Sequence, residues 1–307
     1  MIHTKDIREK LKDIDEFLLE EYKKNHPEKK RDWRTYEQQL AARLKYAIRN
    51  LEPLIDEAVA TLHVERGQGR KPELSLKQRV ILILVKELFD KSNRNMEAML
   101  DLFCLLTDVE VSYKSIERLY SDPEVEMALH NLHVLILKKK GVSVVEGTGD
   151  GTGYSLTISK HYASETAKRG DEIKEAETQE ENVKEGKKKR AFVYSFKLLD
   201  LGSGMYVSYG MSLKSEKDAY DKAMRMFENL GLTLESMRLD RYYSCQSYVG
   251  ELGDIKVYII PKKNATIKGP WSWKRRMKDF VENTEEYLEE YYKREHSEAH
   301  FSVDKRW

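Results

Sequence analysis

The sequence has few cysteines and no long hydrophobic run. Cys104 and Cys245 are its two cysteines among 307 residues, too few for a disulfide scaffold or for a zinc site built on cysteines. No stretch approaches the roughly 18 uncharged apolar residues that a membrane span requires. The N-terminus, MIHTKDIREK, is charged from the start and contains no apolar signal region. We therefore expect a cytoplasmic protein rather than a secreted or transmembrane one.

An excess of charge of one sign is also lacking, since the formal net charge is +1. The charges are nevertheless segregated near the C-terminus. Pro261–Lys278 holds seven basic residues and no acidic one, and Asp279–Glu290 holds six acidic residues and no basic one. Such segregation can place a positive strip beside a negative pocket, which would hold a phosphate backbone against bound metal. The alternative is an ordinary solvated surface.

Apolar residues at helical spacing dominate the first 140 residues. We predict an N-terminal helical region over residues 1–70, with a helix from about Trp33 to His63 that is interrupted at Pro53. A second region, residues 71–140, begins with a capping-box pattern at Ser75 and Gln78. Further helices are predicted to start at Ser92, Ser112 and Pro123.

The bundle over residues 71–140 is similar to a helix-turn-helix. Its recognition helix would present Lys114 and Arg118 to a DNA groove. Small helical bundles are common and many bind nothing, so a purely structural bundle is the alternative.

Strand and helix patterns alternate after Lys140. VSVVEG predicts a strand that ends in a glycine-rich turn, GTGDGTG, and residues 160–190 predict a charged, mobile surface loop. A hairpin around DLGSG, a helix from Ser215 to Gly231 and two further strands, LESMRLD and DIKVYIIPKK, follow. A short helix, QSYVGELG, separates these strands, and a long helix is predicted from about Lys274 to the end. The pattern predicts an α/β fold with one mixed central sheet over residues 141–307.

Three acidic residues are candidate metal ligands. Asp150 lies between glycines that allow close approach to the backbone, Asp240 follows a predicted strand, and Glu298 lies on the predicted last helix. Hard divalent cations such as Mg²⁺ prefer carboxylate oxygens, and separate elements can bring two or three of them together. Each residue also has an ordinary interpretation: a turn residue, a cap and a solvated glutamate.

The last predicted helix carries an unusual stripe. Tyr291, Arg294, Glu298 and Lys305 fall within roughly 60° of one another at helical spacing. An Arg one turn before the Glu and a Lys two turns after it can hold the carboxylate while offering cations to phosphate. A salt-bridged helix face is the alternative, but it does not require the seven-residue step from Glu298 to Lys305.

This order of residues resembles insertion-sequence transposases of the DDE class, and most of all the group named for its YREK signature. DGTGYS resembles the first catalytic strand of that group, DRYYS its second aspartate motif, and HFSVDKRW the segment after its glutamate. The resemblance covers about residues 141–307 and, more loosely, the helical N-terminus.

The resemblance implies an RNase H-like catalytic domain preceded by an all-helical DNA-binding region. Asp150, Asp240 and Glu298 would be catalytic and would hold two Mg²⁺ ions, with Mn²⁺ as a substitute. Tyr291, Arg294 and Lys305 would contact the transposon end. The chemistry would be cleavage at transposon ends and strand transfer into target DNA by a homodimer on paired ends. A prokaryotic, nucleoid-associated protein is implied, C-terminally truncated because the chain stops two residues after Lys305.

The basic segment supplies further predicted DNA contacts: Lys274, Arg275, Arg276 and Trp273. Trp271 and Trp273 suit stacking on an unpaired base, or alternatively they anchor a loop against the core. Two other functions stay open. One is a non-catalytic DNA-binding remnant or regulator derived from a transposase, and the other is a metal-dependent nuclease on the same sheet.

Overall fold

The computed structural model describes residues 6–7, 32–62, 73–88, 96, 99–101, 104, 110–155 and 192–295. The chain divides into two compact units. We call residues 23–141 the helical unit, and residues 142–306 together with 1–22 the sheet unit. The predicted regions 1–70, 71–140 and 141–307 stay predictions, and the charged insertion at 160–190 lies outside the described residues. Among the described helices, none is both long and apolar enough to cross a membrane.

The helical unit contains four described helices. They are α1 (Trp33–Ala60), α2 (Leu76–Leu88), α3 (Tyr113–Leu119) and α4 (Pro123–Lys139). Their apolar faces enclose one core, which includes Ile55, Val80, Ile116 and Leu132. Burial of these faces, rather than helix propensity alone, stabilises short helices such as α3.

The ends of these helices follow the sequence closely. The capping box is confirmed, since Gln78 accepts a hydrogen bond from the Ser75 amide at 2.8 Å and Ser75 accepts one from the Gln78 amide at 3.3 Å. The predicted start at Pro123 is also confirmed. The interruption at Pro53 is wrong, because α1 runs through it without a break. A proline removes one backbone hydrogen bond, and here the rest of the helix continues around it. The predicted start at Ser92 lies outside the described residues.

The sheet unit is built on one mixed sheet of five strands. They are β1 (Val144–Ser155), β2 (Phe192–Asp200), β3 (Met205–Ser212), β4 (Thr233–Leu239) and β5 (Lys256–Ile259). Their order is β3-β2-β1-β4-β5. The three strands β1, β2 and β3 pair antiparallel, whereas β4 pairs parallel to β1 and β5 parallel to β4. The predicted α/β class is confirmed, and the mixed sheet flanked by helices is consistent with an RNase H-like fold.

Helices connect and flank these strands. α5 (Glu216–Asn229) lies between β3 and β4, and α6 (Gln246–Val249) lies between β4 and β5. Ser215 caps α5 by accepting a hydrogen bond from the Asp218 amide, and Gly231 follows with φ 65°, as predicted. After β5 come α7 (Trp271–Glu282) and α8 (Thr284–Tyr292).

The glycine-rich segment GTGDGTG is part of β1 and not a turn. Asp150 therefore lies within a strand of 12 residues, and the predicted end of the strand before these glycines is wrong. Successive residues of a strand point to opposite faces. Gly147, Gly149 and Gly151 share the face covered by α5, where an added Cβ would lie 2.9, 2.4 and 2.0 Å from neighbouring side-chain atoms. The alternating glycines let that face pack closely.

The predicted single helix from Lys274 is also wrong. α7 ends at Glu282 and α8 begins at Thr284, because Asn283 between them has non-helical torsions, φ −123° and ψ 44°. The two helices pack together through Phe280 and Tyr287, whose ring centroids lie 5.5 Å apart. The break therefore separates α8, which carries Tyr291, from α7.

Candidate active site

Asp150 and Asp240 lie side by side at the end of the parallel pair β1–β4. The last paired residues of these strands are Gly149 and Leu239, and each aspartate is the next residue along its strand. Asp240 keeps an extended backbone, φ −63° and ψ 158°. Since adjacent strands are about 4.8 Å apart, the backbone places the two aspartates next to each other. Asp150 is half-buried, and so is Asp240.

Each of these carboxylates is oriented by the backbone that follows it. Asp150 accepts a hydrogen bond from the Gly151 amide at 2.9 Å, and Asp240 accepts one from the Arg241 amide at 2.6 Å. Asp240 thereby caps a short 3₁₀ turn, Arg241–Tyr243. These local hydrogen bonds restrict the rotation of both side chains at the end of the parallel pair.

Arg294 reaches Asp240 from beyond the C-terminus of α8. One guanidinium nitrogen of Arg294 lies 3.2 Å from the Asp240 carboxylate, in an ion pair that is partly exposed. The same nitrogen lies 3.4 Å from the Tyr291 hydroxyl, and the guanidinium lies 5.6 Å from the Tyr291 ring centroid. One residue of the predicted stripe, Arg294, therefore contacts the second predicted aspartate, and a second, Tyr291, contacts Arg294.

A second ion pair joins α8 to β4 two residues before Asp240. The fully buried Arg238 donates to the Glu290 carboxylate at 2.5 Å and to the Glu290 carbonyl at 2.7 Å. Its guanidinium also lies 5.2 Å from the ring centroid of Tyr258 on β5. Burial would raise the pKa of the Glu290 carboxyl, but hydrogen bonds from Lys293 and Arg238 outweigh burial and lower that pKa.

Three residues near Asp150 were not predicted. Lys197 lies directly opposite Asp150 in the β1–β2 pairing, with its ammonium 5.3 Å from the Tyr206 ring centroid. On the other face, the Tyr243 hydroxyl donates to Glu216, and both groups press against Gly151. Burial, followed by the nearby Glu216, raises the pKa of the Tyr243 hydroxyl, which therefore stays protonated. Glu216 has no distinctive sequence signal, since acids are common in the first turn of a helix.

The basic segment divides into buried and exposed residues. Trp273 is 5% exposed, and its indole nitrogen donates to the Thr266 carbonyl at 2.9 Å. Arg276 is 3% exposed and donates to the carbonyls of Val249 and Gly253. Both side chains are buried and hydrogen-bonded inside the protein, which leaves neither accessible to DNA, in contrast to the prediction. Trp271, by contrast, is 76% exposed at the start of α7.

Other predicted DNA contacts lie at the surface. Lys274 is exposed one turn after Trp271, and the half-buried Arg275 forms an ion pair with Asp254 at 2.9 Å. In the helical unit, Lys114 and Arg118 are exposed on α3, four residues apart on one side of the helix. Their exposure leaves them accessible to phosphate.

The two aspartates suit a hard divalent cation. Mg²⁺ is commonly bound through one or two carboxylates, together with waters and substrate phosphates, and Asp150 and Asp240 provide two such groups at one place. Within the described residues, no group of three or more His, Cys, Asp or Glu side chains is placed to hold a metal ion. Glu298 and Lys305 lie outside the described residues, so the third predicted carboxylate stays a prediction.

Comparison with known proteins gives one extensive similarity. The chain is 40% identical, over 308 aligned positions, to the probable transposase for insertion sequence element ISA1214 of Archaeoglobus fulgidus. The alignment covers 99% of this chain and 86% of the relative. Neither a protein-family model nor a solved structure matches the chain. The similarity therefore includes the helical unit as well as the sheet unit.

Proposed function

Since the chain belongs to the transposases of insertion sequence elements, we propose that it is a DDE-type enzyme of the YREK group. It cleaves DNA at the ends of its element and joins those ends to target DNA. Asp150, Asp240 and Glu298 are its catalytic carboxylates. DNA is its partner and substrate, and it works as a homodimer on paired ends.

The observation that carries this proposal is the position of Asp150 and Asp240 beside each other, with Arg294 in contact with Asp240. Two carboxylates at adjacent strand ends, beside an arginine, combine oxygen ligands for cations with a donor for phosphate. A structural ion pair would need only one of these aspartates. The spacing of Tyr291 and Arg294 relative to Glu298 adds the third carboxylate on the segment that follows α8.

The residues at this position would hold and orient the reacting phosphodiester. Bound divalent cations, Mg²⁺ or Mn²⁺, would supply charge neutralisation at the phosphate and activation of the attacking oxygen. Asp150 and Asp240 provide carboxylate ligands whose orientation is fixed by the amides of Gly151 and Arg241. The guanidinium of Arg294 offers two parallel donors that match a phosphate group.

Two displacements at phosphorus complete the proposed reaction. In the first, water attacks the phosphate at the element's end, the bond to the 3′ oxygen breaks, and that oxygen leaves as a hydroxyl. In the second, this 3′-hydroxyl attacks a phosphate of the target, and the displaced 3′ oxygen of the target takes up the proton. The protein forms no covalent intermediate in either step, so positioning and charge neutralisation provide the catalysis.

DNA binding is proposed to involve both units. Lys114 and Arg118 on α3 would contact the DNA backbone or groove, and Lys274, Arg275 and Trp271 would contact the element's end. Basic side chains provide affinity that does not depend on sequence, and an exposed indole among them can stack on an unpaired base. Arg294 and Lys305 would hold the strand that is cut. The predicted DNA contact of Tyr291 would be indirect, since its side chain is only 6% exposed and its ring lies against the Arg294 guanidinium.

A strand-transfer assay tests the proposal. The substrate is a duplex that carries the terminal sequence of the element encoding this chain, called end DNA below, with a supercoiled plasmid as target and Mg²⁺ or Mn²⁺ present. We expect cleavage and joining by the parent chain. Asp150→Asn and Asp240→Asn should abolish both reactions and retain binding of end DNA. Cleavage that survives either substitution would contradict the assignment.

The same assay separates the two other functions. A metal-dependent nuclease would cut end DNA and unrelated DNA alike and would yield no joined product. A non-catalytic DNA-binding protein would bind end DNA without cutting it under either metal. Glu298→Gln and Lys305→Gln complete the set, and each should reduce cleavage far more than binding.

A further inference from the structure

Arg238 is unusual because its charged guanidinium is completely buried on β4, an interior strand of the sheet. The residue is fully buried on β4, between apolar neighbours Met237 and Leu239. Each of its three nitrogens has a partner: Nε donates to the Glu290 carbonyl, one terminal nitrogen to the Glu290 carboxylate and the other to Ser236. Burying an ion pair usually gains little stability over an apolar side chain of similar size. Its value lies in fixing geometry.

Two ion pairs join the β4 side to the α8 side, and the positive residue lies on opposite sides in the two pairs. On the strand, Arg238 is the base and Asp240 the acid. On the helix side, Glu290 is the acid and Arg294 the base. A shift of the helix that paired Arg238 with Arg294, or Asp240 with Glu290, would bring like charges together, and at the buried Arg238 this repulsion would be poorly screened by water. The alternation therefore specifies one register.

The spacing of the two pairs also matches. Two strand residues, from Arg238 to Asp240, span about 6.6 Å. The four residues from Glu290 to Arg294 span about 6 Å if they follow helical rise. Both pairs can therefore form at the same time without bending either element. Tyr287 adds a third link, since its buried hydroxyl contacts the backbone of Ile259 on the adjacent strand at 2.9 Å.

We propose that Arg238 is a positioning residue of the active site. It holds the C-terminal end of α8 on β4, so that Arg294 is presented to Asp240 in one register. The Arg238 guanidinium donates to the main-chain carbonyl of Glu290 as well as to its carboxylate. It therefore fixes the helix backbone and not only a side chain. This inference rests on the proposed function, since the reaction defines what is being positioned.

The test compares Arg238→Met with Arg79→Met in the full-length chain. Methionine retains much of the buried volume and removes the donors. Arg79 is a matched control because it is also buried and paired, with Asp122 and Glu124 in the helical unit. At saturating end DNA, and at a temperature where all variants are folded, Arg238→Met should lower the single-turnover cleavage rate on the order of 10- to 100-fold. Arg79→Met should leave it unchanged, because a loss of stability alone does not lower the fraction of folded protein appreciably below the unfolding transition.

A double-mutant cycle with Arg294→Gln separates positioning from general destabilisation. If Arg238 acts through the segment that carries Arg294, the combined loss of rate is clearly smaller than the product of the two single losses. Losses that multiply would overturn the proposal, and so would an Arg79→Met loss as large as that of Arg238→Met. Should Arg238→Met fail to fold, Glu290→Gln takes its place in the same cycle, with a smaller expected loss in the same direction.

Hydrogen exchange provides a readout that does not depend on cleavage. Amides of α8 should exchange faster in Arg238→Met than in the parent chain, and at the parent rate in Arg79→Met. If the parent chain cleaves no end DNA, the proposed function fails and this measurement alone decides whether Arg238 holds α8. Unchanged exchange in α8 would overturn the positioning role even if the parent chain proves to be an active transposase.

Discussion

At the scale of single residues, Trp271 and Trp273 have different environments although one residue separates them. Trp273 faces the core of the sheet unit together with Met277 and Phe280. Trp271 starts α7 and is largely exposed. Residues two apart on a helix point about 200° from each other, so burial of one ring requires exposure of the other. The exposed ring is the one available to DNA.

Substitution of each tryptophan by alanine should separate binding from stability. Trp271→Ala should weaken binding of end DNA with an unpaired terminus roughly 5- to 100-fold, the range for loss of one stacked base. Its thermal unfolding midpoint should match that of the parent chain. Trp273→Ala should instead lower the free energy of unfolding by about 3–5 kcal/mol, because it removes a buried ring. Fluorescence anisotropy and urea unfolding measure these effects, and equal binding by Trp271→Ala and the parent chain would contradict the stacking role.

The close packing of β1 should make its glycines sensitive to an added methyl group. A Cβ at Gly149 would lie 2.4 Å from the buried Phe196 ring, so Gly149→Ala should lower the free energy of unfolding by about 1–3 kcal/mol. Gly250→Ala is the control, since nothing lies within 4 Å of an added Cβ there and its φ is −64°. Urea unfolding of both variants decides the matter, and equal stabilities would argue against the close approach.

At the scale of elements, α8 is attached to the sheet unit both by an apolar face, which includes Leu288 and Tyr291, and by polar contacts. Arg238 and Glu290 join it to β4, and Tyr287 joins it to β5. The break at Asn283 makes α8 a separate helix, and the Arg238–Glu290 pair adds a directional contact near its C-terminal end. Because one of these contacts is the Arg238–Glu290 ion pair, the stability of the attachment should depend on pH.

The contribution of Glu290 should disappear in acid. Its folded pKa lies below the ordinary value of 4.5, so the stabilisation is present above pH 4.5 and is lost as the pH falls through the lower, folded pKa. The unfolding midpoint of the parent chain should exceed that of Glu290→Gln at pH 7, and the difference should shrink below pH 4.5. Differential scanning calorimetry from pH 3.5 to 7 gives both curves. A constant difference over this range would contradict the pairing.

At the scale of the whole molecule, DNA binding by two units should appear in its dependence on salt. Each neutralised phosphate contributes about 0.9 to the slope of log K against log salt concentration. Lys114→Gln in the helical unit and Lys274→Gln in the sheet unit should each reduce the slope by about 1, and the double variant by about 2. Lys222→Gln is the control, because Lys222 pairs with Asp218 on α5. Slopes that change for one unit only would restrict binding to that unit.

Local patterns in the sequence were sufficient for most of the elements. The capping box at Ser75, the cap and stop of α5 and the hairpin between β2 and β3 all depend on neighbouring residues, so the sequence predicted them correctly. The glycine-rich turn was predicted from composition, although glycine at every second position has the period of a strand. The helix break at Asn283 has a weaker signal: no proline or glycine lies there, although Asn283 followed by Glu286 is a pattern typical of a helix start.

The sequence by itself determined three things: the α/β class, the order of helical and strand segments along the chain, and the candidates Asp150 and Asp240. It did so because periodicity, caps and turn residues act over a few positions. Only the tertiary structure decided that these two aspartates end adjacent parallel strands, that Arg238 is buried against Glu290 and that Trp273 and Arg276 face inward. Register and burial depend on contacts between residues some 50 to 90 positions apart, such as Arg238 with Glu290 and Gly149 with Leu239. The folded sheet establishes these contacts, and no local pattern encodes them.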